Sequence, residues 1–190
     1  AVTDILAGKV NPSGSLVDTY CYDNLSSPAM HNYLALTYAN YNGQVPEQAS
    51  TYMVYQEGIY VGYKYYETRY FDAVMGQGNA GDYAEQYGRE VAFTFGYGLS
   101  YTTFEQTLNS VNYNGNEVTV NVTVKNTGDV AGKEIVQVYF NPPYTNGGVE
   151  KATANLIAFG KTSELAPGAS ETIELTFDVT EMASYDDKAN

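Results

Sequence analysis

From residue 117 onward, apolar and polar positions alternate strictly. In EVTVNVTVKNTG, Val118, Val120, Val122 and Val124 fall on one face, and Thr119, Asn121, Thr123 and Lys125 on the other. A period of two with β-branched residues predicts a half-buried antiparallel strand. Asn126-Thr127-Gly128-Asp129 then turns the chain. KEIVQVYF predicts a second strand, with Val136, Val138 and Phe140 on one face, closed by Pro142-Pro143. LIAFGKTSEL reads as a third. Pro167-Gly168 is a tight turn, and ETIELTFDV is a fourth strand with Ile173, Leu175, Phe177 and Val179 inward. TLNSVNYN is a candidate first strand. Short strands punctuated by turn signals predict a β-sandwich. Such sandwiches use about seven strands, so five suggest either two edges left unpaired or a sandwich that lacks its final strands.

Before residue 105 the pattern is poorer, and glycine and tyrosine are dense. AVTDILAGKV resembles the end of an amphipathic helix, with Val2, Ile5 and Leu6 apolar and Gly8 as its cap. NPSG (11–14) is a turn, and GSLVDTY a short extended segment. SPAMHNYLAL suits a short helix, with Ser27 as cap and Pro28 in its first turn. In EGIYVGYKYYETRYF, Ile59, Val61 and Tyr63 alternate, as in a strand. MGQGNAGDYAEQYG is polar and glycine-rich, and reads as a loop.

Charge narrows the functions. The chain has 22 Asp+Glu against 9 Lys+Arg, a net charge of -13. This argues against nucleic acid and anionic membranes as partners. No run approaches the roughly 18 apolar residues of a membrane span. The first residues lack the charged and apolar regions of a signal peptide, and a bacterial cytoplasmic location is expected over secretion. One cysteine, Cys21, and one histidine, His31, allow neither an internal disulfide nor a zinc cluster, and no signature around them marks a nucleophile pair. No cofactor is expected. Twenty tyrosines and no tryptophan suit either sugar stacking or buried seams.

The candidate chemical motifs are few. GQGNAG (76–81) lacks the Lys-Ser/Thr of a phosphate loop, and Asp82 follows it. Paired carboxylates about 5 to 5.5 Å apart would serve a retaining glycosidase. Glu57, Glu67, Asp72, Asp82, Asp186 and Asp187 are available, and Glu57 stands out for its aromatic surroundings. Asn24-Leu25-Ser26 and Asn121-Val122-Thr123 match the glycosylation acceptor pattern.

Five stretches, in order, resemble glycoside hydrolase family 3. They are NPSGSLVDTY, EGIYVGYKYYET, VAFTFGYGLSYTTFE, VTVKNTGDVAGKEIVQVY and LIAFGKTSELAPGASETIELTF. The resemblance covers essentially the whole chain. It implies the C-terminal part of an α/β sandwich domain over 1–104, with a glycine-rich insertion, and a fibronectin type III-like sandwich over 105–190. The expected fold class is therefore an α/β remnant followed by an all-β fibronectin type III-like sandwich. The family's final two strands would follow MASYDD (182–187) and are expected to be missing.

The same resemblance implies a parent enzyme that hydrolyses β-linked glucosides or xylosides with retention, β-glucosidase foremost. Its Asp nucleophile belongs to a TIM-like barrel, and its Glu acid/base to a loop before the NPSG turn. No position here carries either, so no catalytic residue is assigned and the chain alone is expected to be inactive. The barrel and the rest of the α/β domain are the expected partners, with a β-linked glucoside or oligosaccharide as substrate. The stretch from Glu67 to Ala92 resembles a bacterial branch in which the barrel can follow these domains. Glu57, Tyr63 and Tyr66 are candidate substrate contacts. Phe95, Gly96, Tyr97, Gly98, Leu99 and Tyr101 form a candidate domain junction: the glycines would let the backbone bend, and the large side chains are expected to be buried. The alternative function is a carbohydrate-binding or domain-bracing module.

Overall fold

A computed structural model describes residues 2–31, 33, 35–38, 51–186 and 188–189. Among these, the elements in chain order are α1 (Val2–Leu6), β1 (Tyr20–Cys21), α2 (Pro28–His31), β2 (Leu36–Thr37), β3 (Thr51–Tyr52), α3 (Tyr63–Met75), α4 (Tyr83–Glu90), β4 (Val91–Phe93), β5 (Phe104–Tyr113), β6 (Glu117–Asn126), β7 (Ile135–Phe140), β8 (Asn155–Lys161) and β9 (Ser170–Asp178). Short 3₁₀ turns cover Asn24–Ser26 and Val179–Met182. No described helix is long and apolar enough to cross a membrane. The chain forms two compact units, one of Ala1–Val17 with Phe95–Asn190, the other Asp18–Thr94. Within the first unit, backbone hydrogen bonds tie residues near the NPSG turn to 96–98.

The first unit is built on the alternating strands. β5, β6 and β9 form one antiparallel sheet, with β6 in the middle; β7 and β8 pair antiparallel in a second. Val120, Val122, Val124, Val136, Leu165, Leu175 and Phe177 make the core. The register explains this: Val118, Val120 and Val122 stand beside Phe177, Leu175 and Ile173, and cross-strand neighbours share a face. The other face carries Thr119 beside Thr176 and Thr123 beside Thr172, with hydroxyls 3.4 and 3.0 Å apart. All five strands expected from the alternation are present.

The turn after β6 is pinned by Asn126, which is fully buried. Its Oδ1 accepts from Thr102 Oγ1 (2.7 Å) and Gly128 N (3.1 Å). Its Nδ2 donates to the carbonyls of Val130 (2.8 Å) and Leu165 (2.9 Å). A side-chain amide offers two donors and two acceptor lone pairs, and here all four are used. Thr102 crowds the turn so closely that a methyl on Gly128 would meet Thr102 Oγ1, Thr103 N at 2.9 Å and Thr102 Cα at 3.2 Å. The NTG sequence is thus a buried amide followed by the one residue that fits beside it.

Past β9, Asp178 caps the 3₁₀ turn. Its carboxylate accepts from Thr180 Oγ1 (2.6 Å) and Thr180 N (2.8 Å), while Glu181 Oε1 accepts from Asp178 N (3.1 Å). The Thr180 hydroxyl, and then its backbone N–H, hold the Asp178 pKa below its ordinary value. A lowered folded pKa stabilises above the unfolded value and stops doing so as pH falls through the folded one. The Thr180 amide resonance should therefore move toward its unfolded position on acidification below the usual carboxylate range, and Asp178→Asn should remove most of that response.

The second unit holds two corrections to the sequence reading. Residues from Tyr63, where alternation suggested a strand, form helix α3. Gly62, with a φ of 57°, is its N-cap, and Gly76, with a φ of 64°, its C-cap. Between them Tyr66 and Ala73 lie two turns apart on the face that meets Tyr83 and Val91. The alternation of Ile59, Val61 and Tyr63 is chance: Ile59 and Val61 are exposed. Within the expected loop, residues from Tyr83 form α4, preceded by a turn at Ala80 and Asp82. Its helical face was masked by tyrosines, which serve here as core: Tyr83 is fully buried.

Candidate functional site

A cleft of about 400 Å³ opens within the second unit, with Asp18, Thr19, Asn24, Glu57, Tyr60 and Tyr66 among the residues that line it. Two of the three expected substrate contacts, Glu57 and Tyr66, thus meet in one cavity. The third, Tyr63, opens α3 and does not line it. Glu57 is brought to the cleft by a tight turn in which Tyr60 N donates to the Glu57 carbonyl at 2.8 Å. Tyr66 comes from the first turn of α3, almost wholly buried, with its hydroxyl 3.2 Å from Ser26 Oγ.

Burial pushes the Tyr66 hydroxyl pKa well above its ordinary value, and the Cys21 side chain adds to the shift. The hydroxyl therefore stays protonated and is held by Ser26 and Cys21 at the wall of the cleft. The carboxylates of Asp18 and Glu57 line the same cleft and are acceptors. Asp18 Oδ1 already accepts from Thr19 N at 2.8 Å. Thr19 Oγ1 is buried with no hydrogen-bond partner among the described residues. Donors and acceptors around an apolar wall suit the hydroxyls of a sugar. Asp18 and Thr19 were missed in the sequence, because DTY carries no motif and only the fold of 57–62 brings it near Glu57. Among the described residues no group of three or more His, Cys, Asp or Glu could hold a metal ion.

Behind the cleft is a tyrosine-arginine cluster. The Arg69 guanidinium lies 4.1 Å from the Tyr83 ring centre and 5.4 Å from that of Tyr65, and donates to Tyr65 Oη at 2.6 Å. Tyr87 Oη donates to Glu67 Oε1 at 2.5 Å. Burial raises the pKa of Tyr83 and Tyr87, with Glu90 and Glu67 adding to the respective shifts. The Tyr83 hydroxyl has no partner of good hydrogen-bond geometry among the described residues, while the Glu90 carboxylate stands near enough to raise its pKa both as an acceptor and by its charge. An unsatisfied buried hydroxyl costs about 1–3 kcal/mol. Tyr83→Phe should therefore leave stability unchanged or raise it by about 1 kcal/mol, read from urea unfolding.

The expected junction lies in the first unit, and one part of the expectation needs correction. Gly96 has a φ of 81°, and a methyl on Gly98 would stand 2.8 Å from the Gly14 carbonyl oxygen, so both glycines are required. Gly96 N donates to the Leu16 carbonyl and Leu16 N to that of Tyr97, each at 2.8 Å. Asn11 Oδ1 accepts from Tyr101 N (2.8 Å) and Ser100 Oγ (3.1 Å), and Tyr101 Oη donates to the Ile5 carbonyl at 2.7 Å. The side chains, however, are not buried. Tyr97, Leu99 and Tyr101 are 40–66% exposed, and only Phe95 is half-buried. The segment is held by its backbone and by Asn11, and these bonds leave its large side chains outside.

Comparison with known proteins adds what this geometry lacks. Residues 134–190 match the fibronectin type III-like domain family. A β-glucosidase of Ruminococcus albus is 38% identical over 96% of the chain, which spans 16% of that enzyme. An exo-α-(1→6)-L-arabinopyranosidase of Bifidobacterium breve is 35% identical over the whole chain, which spans 21% of it. In structure, β-glucosidase 3B of Thermotoga neapolitana in complex with glucose matches 97% of the chain at 38% identity and a TM-score of 0.72; the match covers 22% of that chain. A family 3 β-glucosidase of Bifidobacterium adolescentis matches all of it at 30% identity and 0.73, covering 23% of that chain.

Over essentially its whole length the chain is similar to family 3 glycoside hydrolases. It spans under a quarter of these relatives' length. The fibronectin type III-like match falls on β7, β8 and β9, in the half of the chain where the alternation placed a sandwich.

Proposed function

We propose that the polypeptide to which this chain belongs is a retaining β-glycosidase, specifically a β-glucosidase that removes terminal β-linked glucose from glucosides and oligosaccharides. The observation that carries this is the match of essentially the whole chain, in sequence and fold together, to β-glucosidases. The chain itself is structural and supplies neither catalytic carboxylate: residues 1–104 are α/β-domain structure, and residues 105–190 a bracing sandwich. Its contribution to catalysis is the wall of the cleft, where Glu57 and Tyr66 hold hydroxyls of the substrate, with Tyr63 supporting from the start of α3. In the intact enzyme Glu57→Gln and Tyr66→Phe should raise KM several-fold and leave kcat nearly unchanged, the pattern of a lost ground-state contact. Unchanged KM in both variants would remove the cleft from the substrate path.

The sandwich supports the bracing role in a second way. Leu108, Val111 and Tyr113 of β5 stand beside Val122, Val120 and Val118, and so share the core face. Yet they are 58–67% exposed. Gly160 sets β8 over Ile173 and Leu175 of β9, and the Ile135 carbonyl of β7 accepts from Gln106 Nε2 of β5 at 3.2 Å. The edge of β7 that is unpaired among the described residues begins near Gln106 of β5, and a further strand added there would cover the three residues. Covering an apolar side chain is worth about 1.5–3 kcal/mol. Leu108→Ser with Val111→Ser should cost about 1 kcal/mol or less in this chain, but about 3 kcal/mol or more in a longer polypeptide that supplies the strand. Equal costs in the two would reject the added strand.

A further inference from the structure

Lys9, Lys133 and Lys161 line one cleft of about 610 Å³ in the first unit. They are three of only nine Lys and Arg in a chain of net charge -13. Three separate segments deliver them: the stretch after α1, the approach to β7 and the end of β8. The cleft is fixed from below. Asn11 Nδ2 donates to the Ala131 carbonyl at 3.0 Å, and Lys161 Nζ to the Ser13 carbonyl at 2.6 Å. Gly132 and Leu165 form a two-way backbone bridge. Thr162, nearly wholly buried, accepts from Glu134 N at 3.0 Å and keeps its own hydroxyl proton to donate. Glu164 is the sole acid among the described residues that line the cavity. Like charges are not gathered in a concavity without cost, and here they oppose the field of the whole chain.

We propose that this cleft is an anion site for a small, extended polycarboxylate. The lysines come from three segments around a cavity of about 610 Å³, which suits two or three carboxylates on one carbon skeleton better than one compact phosphate. A long polyanion is disfavoured by the remaining acidic surface. The site is built from residues of the first unit alone and does not depend on the glycosidase reading.

The test is a titration of the isotope-labelled chain with citrate at low salt, followed by amide NMR. Saturable shifts are expected around Lys9, Gly132, Lys133 and Lys161, weakening as salt shortens the screening length to about 8 Å near 0.15 M. Lys133→Gln and Lys161→Gln should each weaken binding about fivefold, and Lys133→Arg should retain it. Lys133 is exposed, so its variants should keep the parent spectrum elsewhere; Lys161→Gln also gives up the bond to the Ser13 carbonyl, so shifts around Ser13 accompany it. Absence of saturable shifts, equal affinity in the Lys133→Gln/Lys161→Gln double variant, or equal binding of inorganic phosphate would overturn the proposal.

Discussion

Asn126→Ala is expected to lower the stability of the sandwich by about 3–5 kcal/mol. The side chain is fully buried and makes four hydrogen bonds, to Thr102 Oγ1, Gly128 N and the carbonyls of Val130 and Leu165. Truncation leaves these partners without it and opens a cavity between β6, the 128–130 turn and the strand-like stretch at Leu165. A net hydrogen bond is worth only about 1 kcal/mol, but each buried partner left unsatisfied costs about 1–3 kcal/mol. Asn126→Asp tests the mechanism against a volume effect. It keeps the size and the two accepting positions, but places a carboxylate against two carbonyl oxygens. Its cost should match or exceed that of alanine at neutral pH. Urea unfolding followed by circular dichroism reads both. A loss below about 1 kcal/mol for each would mean that the turn is held by its backbone bonds alone, through Ala169 and Gly168.

Gly128→Ala should cost about 2–3 kcal/mol, at the upper end for overpacking by one methyl. The new methyl would meet Thr102 Oγ1 and the backbone of Thr102 and Thr103, with Thr103 N at 2.9 Å. Backbone cannot swing away as a flexible side chain can. Relief comes only by moving Thr102, and that breaks its bond to Asn126. The two substitutions act on one contact, so the double variant Asn126→Ala/Gly128→Ala should lose less than the sum of the singles. Gly128→Ala alone should also weaken the Thr103–Thr127 pair, whose hydroxyls are 2.9 Å apart beside the clash. Full additivity would show that Thr102 does not link the two positions.

The sandwich was legible because its code is local. Valines at 118, 120, 122 and 124 alternate with polar residues, and the turn residues at 126–129 and 167–168 interrupt the pattern where the strands end. The second unit was less legible because tyrosine hides period. Tyr66, Tyr83 and Tyr87 are core residues, whereas Tyr20, Tyr22 and Tyr55 are exposed, and the letter alone does not separate them. Ile59 and Val61 imitated a strand over a stretch too short to test it, and Gly62 then began a helix. For the candidate site, the sequence could single out Glu57 and Tyr66 by their surroundings. It could not show that Asp18 and Thr19 join them, since more than 35 residues separate the segments and only the fold brings them together. The burial expected at Tyr97, Leu99 and Tyr101 failed for another reason: their backbone bonds to residues 11–16 use the segment's polar groups and leave its side chains outward.

We propose that this chain is a non-catalytic part of a β-glucosidase. The proposal is tested most directly by assaying hydrolysis of a chromogenic β-glucoside by the 190-residue chain and by the full polypeptide in parallel. The account predicts no turnover above buffer by the chain, and robust turnover by the polypeptide. Turnover by the chain alone would contradict it.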